Sequence, residues 1–163
     1  MTLELFRIDD RLIHGQVVVG WGQPLSLGFL VLVDDDVAAS DWEQELYRMG
    51  VPPEMDLYFE SVGSAAARLG AYRADRRTGM LLTGDIATMR RLVAAAPGIA
   101  AVMVGGIHHK PGRSARLRYV FLTEEEAGEL RALAAQGVTV TGQDVPQAQA
   151  IPLDALLAGD GTG

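Results

Sequence analysis

Apolar positions along the chain fall into two kinds of pattern, which alternate from one end to the other. The first is a short, nearly continuous run. FLVLVDD (29–35), GMLLTGD (79–85) and IAAVMVGG (99–106) stay apolar for several residues and then reach charged or glycine residues, while LELFRI (3–8) reads as a first strand. Runs of that length fit strands buried on both faces of a parallel sheet. MDLYFES (55–61) alternates more, as a strand near a sheet edge does, and LRYVFLT (117–123) and VTVTGQDV (138–145) predict the last two strands.

The second pattern is helical. Residues 41–49 follow Ser40, an expected N-cap. SVGSAAARLGAY (61–72) has a helical centre, and DIATMRRLVAAA (85–96) carries Ile86, Met89, Leu92 and Val93 near helical spacing before Pro97-Gly98. TEEEAGELRALAAQG (123–137) opens with the capping-box pair Thr123 and Glu126 and closes at Gly137. Its acids lie at the start and Arg131 later, which suits the helix dipole. A further helix is expected to start near Gln16 and to end early at Pro24. Alternation of strands and helices predicts an α/β fold: a doubly wound, mainly parallel open sheet with helices on both faces. One domain is expected over residues 1–157, with 158–163 a disordered tail. Asp34 to Asp36 are expected to end a strand in solvent.

Composition narrows the function classes. The chain has 163 residues, 48% hydrophobic and 21% charged, an ordinary globular balance. Its formal charge of -7 argues against general nucleic-acid binding. With no cysteine, disulfides, thiolate catalysis and zinc-thiolate sites are excluded. The start MTLELFRIDD lacks the basic-then-apolar pattern of a signal peptide, and no apolar run approaches the roughly 20 residues that span a bilayer. A cytoplasmic domain is the expectation.

Ligands of open α/β sheets bind outside the carboxyl ends of the strands. The most charged of the segments there is RIDDRLIHGQ (7–16). His14 precedes Gly15 and the expected helix start at Gln16, where free amides favour an anion. Arg11 stands three residues before it, and a guanidinium fork matches phosphate oxygens. Imidazole is a nucleophile that titrates near neutrality. Asp9 or Asp10 could hold one ring nitrogen and leave the other to attack. These parts compose a phosphoryl-accepting histidine; the alternative is a solvated loop histidine with Asp9 and Asp10 as turn residues and Arg11 as a surface charge. Thr83 is a candidate hydrogen-bond donor to phosphoryl oxygens or else a turn or N-cap residue. Gly105 and Gly106 either admit a close backbone approach or form a tight turn. Trp21 reads as a packing residue and Trp42 as an exposed contact residue.

RIDDRLIHGQVVVGW closely resembles the signature of the IIB subunits of the mannose/fructose/sorbose class of the bacterial phosphoenolpyruvate-dependent sugar phosphotransferase system. FLVLVDDDVAAS, VMVGGIHHKPG and LTEEEAGELRALAAQGVTVTGQDVP extend the likeness to about residues 3–157. Val19 and Gly20 depart from it, since many members carry a small or polar residue and a basic one there. The resemblance implies a phosphotransferase whose His14 accepts a phosphoryl group on Nδ1 from a phosphorylated IIA protein. The group then passes to a sugar entering through the membrane subunits IIC and IID. Arg11 would steady it, with Asp10, Gly15 and Gln16 nearby, and a homodimer is compatible. The phosphoryl group is carried covalently, and no metal or other cofactor is expected. His108 and His109 read as rim residues whose side chains diverge, and they, with Lys110, are candidates to meet IIA. A regulatory phosphohistidine protein and a non-catalytic anion-binding module are the alternatives.

Overall fold

A computed structural model describes residues 3–161, except for the side chains of Glu4 and Gln16. Six strands lie parallel: β1 (Leu3–Ile8), β2 (Phe29–Val33), β3 (Asp56–Glu60), β4 (Gly79–Thr83), β5 (Ala101–Val104) and β8 (Thr139–Gly142). Together with a short antiparallel strand, β9 (Ile151–Pro152), they form one sheet in the order β3-β2-β4-β1-β5-β8-β9.

Strand alternation sends neighbouring side chains to opposite faces, and each face has its own core. Phe29, Val31 and Val33 of β2 and Leu81 of β4 meet one face. It is covered by α4 (Val62–Ala74), α5 (Ile86–Ala95) and α6 (Glu124–Ala135), which supply Leu69, Leu92 and Leu130. Leu30 and Leu32 of β2, with Met80 and Leu82 of β4, meet the other. That side carries α1 (Gly15–Val17), a π-helical turn over Val18–Gly22, α2 (Asp35–Ala38) and α3 (Asp41–Arg48). Val17, Trp21 and Val37 are its contributions to the core. The connection leaving β1 therefore goes to one face, and those leaving its neighbours β4 and β5 go to the other. A crevice opens at the carboxyl end of β1.

Three local expectations change. Residues 117–123 do not join the main sheet. They fold as an antiparallel hairpin, β6 (Ser114–Leu117) with β7 (Val120–Leu122), turning at Arg118 and Tyr119. Asp34 to Asp36 do not simply end a strand. Asp34 caps α2 by accepting from the amides of Asp36 and Val37, while Asp35 accepts from the Val62 amide and pairs with Arg91 at 3.0 Å. Ser40 stands at the N-cap of α3 without a side-chain cap bond. Thr123 and Glu126 do form the expected capping box. In the tail, Gly161 N–H donates to Arg116 O at 3.1 Å. α7 (Leu153–Leu157) precedes that tail and buries Leu156. Among the described residues no helix is long and apolar enough to cross a membrane.

Candidate functional site

The loop after β1 is fastened on both sides. Asp9 N–H donates to Thr83 O at 2.9 Å and Asp10 N–H to Gly106 O at 2.8 Å, which ties it to the ends of β4 and β5. Leu12 then turns the chain with a φ of 56°, and its side chain lies against Gly84. Left-handed backbone in a leucine is costly, so the packing around it must hold it there. His14 follows, exposed, its carbonyl accepting from the amides of Val17 at 2.9 Å and Val18 at 2.8 Å. It immediately precedes a helical segment of only three residues, Gly15–Val17, before the π turn, so little helix dipole gathers there.

A chain of charges lies under this loop. Arg7, on β1, is fully buried, and its guanidinium lies 4.7 Å from the ring centroid of Trp21. It donates to Gln143 O at 2.7 Å and Asp144 O at 3.0 Å, so it also holds the segment after β8. Asp9 is fully buried beside it at 3.2 Å. Arg11 closes on Asp9 through its backbone N at 3.1 Å, Nε at 2.9 Å and Nη2 at 2.7 Å. Nη1 stays outside that fork. Burial pushes the Asp9 carboxyl up, but the Arg11 hydrogen bonds and both guanidinium charges outweigh it and hold Asp9 below the ordinary value. The same hydrogen bond raises Arg11 against its partial burial. Two guanidiniums thus face the buried Asp9, and the carboxylate of Asp144 pairs with the partly exposed Arg11 from the other side at 3.8 Å.

These contacts reassign several expected site residues. A carboxylate has about four lone-pair sites. Asp9 spends four contacts on Arg7 and Arg11, so it is a clamp for arginines and not an orienter of His14. Asp10 accepts from the His108 backbone N at 2.8 Å and meets His108 Nδ1 through the same oxygen. Thr83 is fully buried and its hydroxyl donates to Asp85 O at 3.1 Å, which removes it from any phosphate. Gly105 and Gly106 are needed for close approach, but the groups approaching are arginines. A Cβ on Gly105 would stand 2.3 Å from Arg7 Nη2, and one on Gly106 2.7 Å from Arg11 Nε. Gly15 has open space above it, and the Gln16 side chain lies outside the described residues. His108 and His109 do diverge: His109 sets its ring edge-on to Phe121 at 5.6 Å.

The Gly105 geometry gives a direct expectation. Gly105→Ala drives a methyl into a guanidinium that has no room to yield, and should cost about 1–3 kcal/mol by overpacking. A urea midpoint equal to the wild type's would show that Arg7 is not wedged there.

Arg7 was the residue that sequence reading missed. A lone charge in a strand reads as solvent-facing, and its partners at Gln143 and Asp144 are distant in sequence. Beside the loop, Asp10, Arg11, His108, His109, Arg118 and Phe121 line a cleft of about 240 Å³. Larger clefts of about 350 and 400 Å³ lie around Pro52 and Met55, ahead of β3 and away from this loop.

The model of one protein family, described as the PTS system sorbose subfamily IIB component, matches residues 3–162. The chain belongs to that family. As a IIB component it is 33% identical over 153 residues to the N-acetylgalactosamine-specific phosphotransferase enzyme IIB component 1 of Escherichia coli (strain K12), covering 91% of this chain and 95% of the relative. It is 30% identical to the mannose-specific EIIAB component of the same strain, over 85% of this chain but only 43% of that protein. Among solved structures it resembles the IIBSor domain of the sorbose permease from Klebsiella pneumoniae, with a TM-score of 0.83, 27% identity and 96% of each chain covered. This IIB component shares the phosphotransferase fold, and its opening motif forms the loop just described.

Proposed function

We propose that this IIB component is a phosphocarrier that accepts a phosphoryl group on His14 from a phosphorylated IIA protein and delivers it to a sugar brought in by membrane subunits IIC and IID. One observation carries the reading. His14 stands exposed on a loop whose base is an Arg7–Asp9–Arg11 cluster, in which the buried Asp9 carboxylate holds a partly exposed Arg11.

The chemistry asks little of the protein beyond position and charge. The P–N bond to the donor imidazole breaks as a new P–N bond forms to a neutral His14 nitrogen, with the two nitrogens in line. In the second step that bond breaks as a sugar hydroxyl oxygen binds phosphorus, and the hydroxyl proton is taken up as the His14 imidazole is regenerated in its neutral form. Negative charge on the equatorial oxygens rises in each transition state. In this reading Arg11 meets it; the Asp9 hold on its Nε and Nη2 edge, with Nη1 outside that fork, supports the role. The Asp10–His108 contact holds the loop after β5 against the loop that carries His14.

Labelled phosphoenolpyruvate, the general carrier proteins and a cognate IIA provide the test. Label should appear on the wild type, be lost in acid, survive base and be absent from His14→Ala. A wild type that stays unlabelled beside a labelled IIA overturns the reading.

A further inference from the structure

α3 is a helix turned inside out. Trp42, Leu46 and Met49 are 69%, 59% and 81% exposed, and no residue of the helix is buried. Spaced at i, i+4 and i+7, the three fall within about 60° of one another around the axis. The inward side is the polar one. Gln44 donates to Val37 O at 3.0 Å and Ala38 O at 3.2 Å, and Tyr47 lies against Phe59 with ring centroids 6.2 Å apart. A surface helix of a folded domain ordinarily does the reverse, and contiguous exposed apolar residues mark a surface that something covers. The fourth large exposed apolar side chain, Val19, belongs to the π turn on the same sheet face. The face under α4 to α6 has none among the described residues.

Charge says what covers it. Glu43 and Glu45 border the stripe on either side and Asp41 starts the helix; Arg48 pairs with Glu45 at 3.3 Å and lies over the Phe59 ring at 5.1 Å, so Asp41 and Glu43 give the rim its net negative charge. An apolar strip edged with acids fits an apolar patch edged with Lys and Arg. Cytoplasmic loops of membrane proteins carry that excess of Lys and Arg. Anionic lipid itself would repel this helix, and the chain as a whole carries -7. α3 also starts at the sheet edge where the His14 loop lies, since it follows the carboxyl end of β2 through α2.

We propose that the Trp42–Leu46–Met49 stripe is the surface by which this chain docks on the basic cytoplasmic loops of its membrane-embedded partner. The inference rests on the phosphocarrier reading for the partner's class, and on α3 alone for the surface. The test compares wild type with a Trp42→Ser, Leu46→Lys double variant. Binding is measured to nanodiscs holding the cognate IIC and IID subunits and to empty discs of the same lipids. Phosphorylation by phospho-IIA is followed in parallel. The variant should bind loaded discs at least tenfold more weakly and be phosphorylated at the wild-type rate, and wild-type binding should fall with added salt. Equal binding by the two proteins, no wild-type binding, or equal binding to empty discs overturns the proposal. So does a wild-type dimer that the variant breaks without changing disc binding. Label on His14 with unchanged disc binding sinks only the docking surface, whereas an unlabelled wild type sinks the phosphocarrier reading instead.

Discussion

Asp9→Ala is expected to destabilise the chain by about 3–5 kcal/mol, the usual cost of stranding one partner of a buried ion pair. The fully buried Arg7 would keep the carbonyls of Gln143 and Asp144 but lose the carboxylate at 3.2 Å that balances its charge. Typical domains are stable by only about 5–15 kcal/mol, so the variant should unfold at far lower urea. Adding Arg7→Met should recover part of the loss, because neither buried charge then remains. Equal midpoints for the single and double variants would show that the two residues are not coupled.

Acid should act on the wild type in the same way. The Asp9 carboxyl is held below its ordinary value in the folded chain. Between the folded value and the unfolded value of about 3.9, the unfolded chain binds the extra proton. The stabilisation from Asp9 is therefore complete above about pH 4 and drains as pH falls through the folded value. A urea series across that range should show an acid loss in the wild type that is shallower in the double variant.

The second large effect concerns rate. Arg11→Ala should slow phosphoryl acceptance by His14 about 10²- to 10³-fold, the range seen when one preorganised donor to transition-state charge is removed. Folding should survive, because Asp9 keeps Arg7 and the Arg11 side chain is already 30% exposed. Single-turnover transfer from phospho-IIA measures the change, and circular dichroism checks the fold. Arg11→Lys should recover only part of the rate, since an ammonium cannot both fork onto Asp9 and reach outward. Near-normal transfer in Arg11→Ala would remove Arg11 from the chemistry.

The sheet was legible because its signals are local. Phe29–Val33 and Gly79–Thr83 are apolar on both faces and announce central strands. The capping box at Thr123 and Glu126 announces α6. What stayed hidden depends on partners far along the chain. Arg7 is held by the carbonyls of residues 143 and 144, which nothing near residue 7 foretells. The sequence places Asp9, Asp10 and His14 in one loop but does not say how they divide their bonds. That division follows from which arginines and histidines adjacent strands bring alongside. Gly105 and Gly106 stand out in the sequence as places of close approach or of a tight turn, and what approaches them in the fold is a pair of guanidiniums. The hairpin at 114–122 was missed because its apolar run is as β-rich as a sheet strand, and only the turn at Arg118 and Tyr119 separates the two.

β9 bears on how copies of this chain can meet. A strand end row of unpaired amides and carbonyls is a template on which another chain can add. Here that border of the sheet consists of two residues running antiparallel to β8, and one of them is Pro152, which has no N–H to offer. A neighbouring molecule finds almost nothing there to continue. Growth of one sheet across molecules is thus discouraged at the β9 rim.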